Sequence, residues 1–191
     1  MPAITDRSTK QPLLNTGMLN HGTLHVRDLA KTRRFYEEVL GIECIQTSPL
    51  SLMIRKGSAH VYAVVEQPAG VHPPMTMLNH NGFEVSTEAE VEEAHKLILQ
   101  VKDEYGIKKV MPLSHMHGDT SFYFMDQDDN WWEIVAVRKG GYVADFDDKA
   151  NWDLTGHHEV NEWVDLFVNE KKLRHMHDPE TRALLQAAKK A

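Results

Sequence analysis

The chain has 191 residues, a formal net charge of −7 and one cysteine, Cys44. The acidic balance argues against a nucleic-acid binder, which needs a basic stripe, and no apolar run approaches the roughly 20 residues of a membrane-spanning helix. A lone cysteine closes no internal disulfide and suits a reducing cytoplasm, the expected location.

Residues 1–16 lack the apolar centre of a secretory signal and read as a flexible N-terminal arm. The segment 17–26, GMLNHGTLHV, reads as a strand. RDLAKTRRFYEEVLG follows as a helix, with Asp28 as N-cap, Leu29, Thr32, Phe35, Tyr36, Val39 and Leu40 on one face, and Gly41 as its stop. Three short extended segments come next, 42–47, 50–56 and 58–66, the last two joined at Gly57-Ser58. QPAGVHPPM (67–75) is a Pro- and Gly-rich linker.

The pattern then repeats. MLNHNGFEV (77–85) is a strand, and Thr87 with Glu90 forms a capping box before a helix carrying Val91, Ala94, Leu97, Ile98 and Val101 on one face. Segments 107–115, 120–127 and 131–137 are three further strands. The prediction is therefore an α+β domain over 17–138, made of two tandem βαβββ modules (17–66 and 77–138) that form a curved mixed sheet. Residues 139–191 form a C-terminal extension: a loop, then two helices within 157–173 and 178–190.

Both first strands open on Leu-Asn-His, so His21 and His80 occupy matching positions of the repeat. Pairing of the modules about a pseudo-twofold axis brings the two together. Glu133 is the acidic residue in an otherwise apolar strand, WWEIVAV, where a carboxylate is costly to bury unless paired or bound to a cation. A strand histidine or glutamate also serves as an ordinary surface residue. The symmetry favours the alternative, a facial triad of His21, His80 and Glu133 that suits Fe(II), with Mn(II), Zn(II) or Ni(II) as other ions such a set can hold.

HGTLHVRDLAKTRRFYEEVLG, HNGFEV and DQDDNWWE together resemble the vicinal-oxygen-chelate superfamily of glyoxalases, bleomycin-resistance proteins and type I extradiol dioxygenases. The resemblance covers about 18–138. The third motif departs from the family's Asp-Pro-x-Gly-Asn turn at Gln127 and Asp129. It implies paired modules around a divalent metal held by His21, His80 and Glu133. SHMHGDTSFYFMDQDDNWWEI (114–134) is similar to the extradiol segment, which implies Tyr123 as the group that hydrogen-bonds a substrate hydroxyl and His115 as a further catalytic residue. By module symmetry, the counterpart of Glu133 falls near His60, Val61 or Tyr62. Extradiol enzymes carry a catalytic histidine on that strand, which implies His60 as acid–base residue, with Tyr62 as the fallback.

The function expected on this resemblance is Fe(II)-dependent extradiol cleavage of a catechol-type aromatic, with O₂ as co-substrate, by a homodimer. The alternative is a glyoxalase-like metal-dependent lyase or isomerase, which would want a fourth protein ligand near His60 or Tyr62. A metal-free binding module is the third reading, and retention of the three candidate ligands argues against it.

Overall fold

The computed structural model describes residues 6–13, 19–67, 75–116, 119–137 and 141–147. The expected helices in 157–173 and 178–190 lie outside these residues. No helix among the described residues is long and apolar enough to cross a membrane.

Module one runs β1 (His21–Val26), α1 (Leu29–Glu38), β2 (Glu43–Ser48), β3 (Ser51–Arg55) and β4 (Val61–Glu66). Asp28 caps α1 by accepting from the Lys31 amide, and Leu29, Thr32, Phe35 and Tyr36 are buried, as the spacing predicts. Module two runs β5 (His80–Val85), α2 (Glu88–Val101), β6 (Lys109–Val110), β7 (Ser114–Met116), β8 (Asp119–Met125) and β9 (Trp131–Ala136). The Thr87–Glu90 capping box forms in full. Val91 and Ile98 are buried under α2, whereas Leu97, expected on the same face, is about half exposed. The strand expected over 107–115 is broken into β6 and β7, with Pro112, which lacks a backbone donor, in the gap. A short helix, α3 (Val143–Asp147), stands where a loop is expected.

The two modules build separate sheets rather than one, in orders β1-β4-β3-β2 and β5-β9-β8-β6, with β7 on β8. In each, the first strand pairs in parallel with the last, and the other neighbours are antiparallel. Both sheets put one face into a common core that includes Leu24, Val64, Phe35, Tyr36, Phe122 and Trp132. Tyr36 meets Trp132 edge-on at 5.6 Å between centroids, so the core crosses the module boundary.

A polar clamp completes the junction. The turn after β8 sends Asp128 against module one, where its carboxylate accepts from the Arg27 amide (2.8 Å) and the buried Thr32 hydroxyl (2.6 Å). Asn130 Nδ2 donates to the His25 carbonyl. Asp129 sits at φ 68°, a conformation that Asp tolerates better than most residues. Its carboxylate pairs with Arg27 and Lys108, and the two cations hold it below the usual carboxylate range against the opposing effect of burial.

Candidate active site

Side chains alternate across a strand, so the registers decide which candidates meet. In the second sheet His80 pairs with Trp131, Gly82 with Glu133, and Glu133 with Tyr123. His80, Glu133 and Tyr123 therefore share one face. It is the face opposite Phe122, Trp132 and Ile134, which lie in the core with Val91 and Ile98 of α2.

The contacts within this group are specific. His80 Nε2 lies 3.4 Å from Glu133 Oε2, and the carboxylate is buried at 7% exposure. Nδ1 of His80 is 2.7 Å from the Met77 carbonyl oxygen. A carbonyl only accepts, so Nδ1 carries a hydrogen; when the ring is neutral, Nε2 presents its lone pair toward Glu133. Two acceptors then face each other at close range, an arrangement that a shared proton or cation relieves. Donor–metal distances near 2.1 Å place neighbouring ligands about 3 Å apart at a right angle, so the separation fits a metal edge. Gly82 lies beneath: a Cβ there would come 3.5 Å from Glu133 Oε2. The Tyr123 ring packs edge-on to His80 at 4.8 Å. Burial, then its hydrogen bond to Glu133, raises the Tyr123 phenol well above its ordinary range and keeps it a neutral donor.

His21 is not brought to this pair. It begins β1 in the other sheet, is exposed, and places Nδ1 2.6 Å from the Asn20 side-chain oxygen. That tie leaves Nε2 open, as in His80, and carbonyl or carboxylate anchoring of the far nitrogen is characteristic of metal-binding histidines. Among the described residues no three His, Cys, Asp or Glu side chains converge on a metal-holding group. One chain thus supplies two of the three expected ligands together and the third apart.

Two further expectations are corrected. His60 does not sit at the symmetry mate of Glu133. His21 pairs with Val61 and Thr23 with Ala63, as His80 pairs with Trp131 and Gly82 with Glu133, so the counterpart of Glu133 is Ala63. Tyr62, the fallback, faces the core side and donates to Asn81 Oδ1 at 2.5 Å. His60 lies against it edge-on, with Nδ1 3.3 Å from the Leu19 carbonyl oxygen. Both line a cavity of about 240 Å³ between the modules, with Arg55, Asn81 and Trp132. His115 pairs in register with Thr120, and its Nδ1 is 2.8 Å from the Thr120 hydroxyl. Thr120 shares the parity of Phe122, so His115 belongs to the face opposite Glu133.

The structure adds two residues that sequence reasoning misses. Asp119, 5% exposed, lies on β8 with the parity of Tyr123. Tyr142, beyond β9, brings its hydroxyl 3.1 Å from Asp119 Oδ2. A strand-parity count on TSFYFMDQ begun one residue earlier finds Asp119. Tyr142 follows a Gly-Gly pair in a segment without periodicity, so no pattern marks it.

A duplicated βαβββ architecture with a histidine–carboxylate pair on the helix-free face defines a class, and comparison with known proteins agrees. The profile of the Glyoxalase/Bleomycin resistance protein/Dioxygenase superfamily matches residues 18–134, and the chain belongs to that superfamily. Among solved structures it is similar to the genomically encoded fosfomycin resistance protein FosX of Listeria monocytogenes in its hexagonal form, at 26% identity and TM-score 0.50 over 65% of this chain and 96% of that one. It is also similar to a point mutant of that protein complexed with Mn(II) and 1S,2S-dihydroxypropylphosphonic acid (23% identity, TM-score 0.51, 66% and 94% covered). A glyoxalase/bleomycin resistance protein/dioxygenase from Nocardioides is similar at 19% identity and TM-score 0.51, with 67% and 88% covered. No curated protein matches the chain.

Proposed function

We propose that this chain is a divalent-metal enzyme acting on a small, uncharged substrate that presents two adjacent oxygens. The observation that carries the reading is the pairing of His80 Nε2 and buried Glu133 Oε2 at 3.4 Å with the Tyr123 ring against them. His80 and Glu133 would hold the ion, and His21 of a second copy of the chain would complete the set. Its exposed position on the edge strand β1 and its Nδ1 tie, parallel to that of His80, support this. When bound, the ion supplies Lewis acidity toward substrate oxygen.

The protein's own groups set the rest. Tyr123, held neutral, donates a hydrogen bond to a substrate oxygen that displaces its bond to Glu133. Glu133, Glu84 and Asp119 share the face of the second sheet, a surface that disfavours an anionic substrate such as a phosphonate. The Listeria protein's phosphonate ligand is therefore not carried over, whereas a neutral diol is compatible.

Within this reading, Fe(II) extradiol cleavage of a catechol is the first reaction to test. Tyr123 supports it, and the positions of His60 and His115 count against it. A lyase or isomerase acting on a hydroxycarbonyl compound is the second reading, favoured by the same two displacements, since neither histidine stands beside Glu133 as proton carrier. The deciding experiment is anaerobic reconstitution with Fe(II) or Mn(II), metal analysis, and oxygen uptake with catechol, 3-methylcatechol and 2,3-dihydroxybiphenyl, with His80→Ala as control. Metal uptake with catechol-dependent oxygen consumption, both lost in His80→Ala, supports the dioxygenase. Uptake without oxygen consumption moves the lyase or isomerase to first place. Absence of uptake overturns the metal reading.

A further inference from the structure

The superfamily profile ends at residue 134, yet the chain beyond β9 returns to the candidate site. Gly141 makes the return. It is buried at φ 63°, and a Cβ there would approach Glu84 Oε2 to 3.1 Å. The left-handed backbone favours glycine here, and a Cβ would push the Glu84 carboxylate aside by a few tenths of an ångström. The next residue, Tyr142, bonds through its hydroxyl to buried Asp119. Asp119 lies four residues along β8 from Tyr123 with the same parity, about 13 Å away at the backbone. Glu84 pairs with Val135, two residues beyond Glu133, so the passage from Gly141 over Glu84 to Asp119 crosses the same face of the second sheet that carries Glu133 and Tyr123. The Tyr142 residue is nevertheless 52% exposed. It is an aromatic side chain fixed at its polar tip, presenting open ring surface on the sheet face that carries His80, Glu133 and Tyr123.

We propose that Tyr142 is the aromatic wall of the substrate site, that Asp119 is the positioning residue holding it, and that together they select an aryl-bearing substrate over a small aliphatic one. The proposal rests on the metal-enzyme reading and deepens it. A ring anchored at its tip has already lost its rotameric freedom, so stacking a planar substrate on it costs little further ordering. Packing of ring on ring in the offset or edge-on geometry supplies the discrimination.

The test uses full-length protein loaded with Mn(II) and calorimetric titration with two oxygen chelators, 2,3-dihydroxybiphenyl and acetohydroxamic acid. Tyr142→Ala is expected to weaken the biaryl at least tenfold while leaving acetohydroxamate and Mn(II) affinities within twofold. Tyr142→Phe keeps the ring and loses its anchor, and should give an intermediate loss. Asp119→Asn should lower the biaryl preference in the wild-type background and change nothing further in Tyr142→Ala. An unchanged ratio of the two affinities in Tyr142→Ala, or equal weakening of both, overturns the proposal while the metal reading stands. Failure of the wild type to take up Mn(II) overturns both.

Discussion

Asp126 is a fully buried carboxylic acid at the module junction, and its replacement by Asn gives the sharpest test of the clamp. Burial raises its pKa from the ordinary 3.8 to about 7. The bonds to its two oxygens from the Asp128 and Asn130 amides and the Trp132 indole oppose the rise without cancelling it. Because the folded value lies above the unfolded one, the folded state binds more protons between the two. The contribution is most favourable below pH 3.8 and is lost as pH rises through about 7. The whole difference is worth ~4 kcal/mol, of which about 3 kcal/mol falls between pH 5 and pH 8. Urea unfolding of wild type and Asp126→Asn at both values isolates this group from the histidines, whose titration is common to the two proteins. The stability of wild type relative to the variant should drop by about 2–3 kcal/mol from pH 5 to pH 8. A pH-independent difference would refute the assignment of a neutral buried acid and mean that the three donors hold it ionised throughout.

Other predictions are more local. Thr32→Val removes the buried donor to Asp128 and should cost about 1–3 kcal/mol in urea unfolding; a loss under about 0.5 kcal/mol would remove the clamp from the stability account. Tyr36→Phe deletes a fully buried hydroxyl with no hydrogen-bond partner among the described residues, so stability should hold or rise by up to about 1 kcal/mol, whereas a clear loss would reveal a bridging water. Gly22→Ala puts a Cβ 2.6 Å from the Tyr62 ring and should displace that ring, break its bond to Asn81 and change near-UV circular dichroism; an unaltered spectrum would mean the backbone yields instead. Glu133→Gln keeps the size of the side chain but not its charge, and should lower Mn(II) affinity at least tenfold in calorimetry; an unchanged affinity would move the metal elsewhere.

What the sequence makes legible follows from periodicity. Two strands opening on Leu-Asn-His, each before a capped amphipathic helix, reveal the duplication and single out His21 and His80, whereas the register of β5 on β9 sets Glu133 on the face of His80. The pattern misleads at His60 because the last strand of module one looks as if it starts at 58, whereas pairing begins at 61. Ile54 pairs with Tyr62 and Phe124 with Trp132, eight residues apart in both hairpins. Counting back through the turn rather than forward from the strand start therefore gives Ala63. His115 is expected from the likeness of 114–134 to the extradiol segment alone, and its pairing with Thr120, beyond the break at Pro112, sets it on the other face. Tyr142 and Asp119 meet through a backbone turn at Gly141, a contact between distant residues with no local signature.

On the proposed sharing of ligands between two copies, the separation of His21 from the His80–Glu133 pair has a genetic consequence. With ligands shared between two copies, a symmetric dimer carries two equivalent composite centres, each drawing on both polypeptides. A dimer of one His21→Ala chain and one Glu133→Ala chain then concentrates both lesions in one centre and leaves the other whole. Two preparations that are each unable to take up Mn(II), once allowed to exchange subunits, should recover about a quarter of the wild-type metal stoichiometry by random pairing. Such intragenic complementation cannot arise where every ligand comes from a single chain.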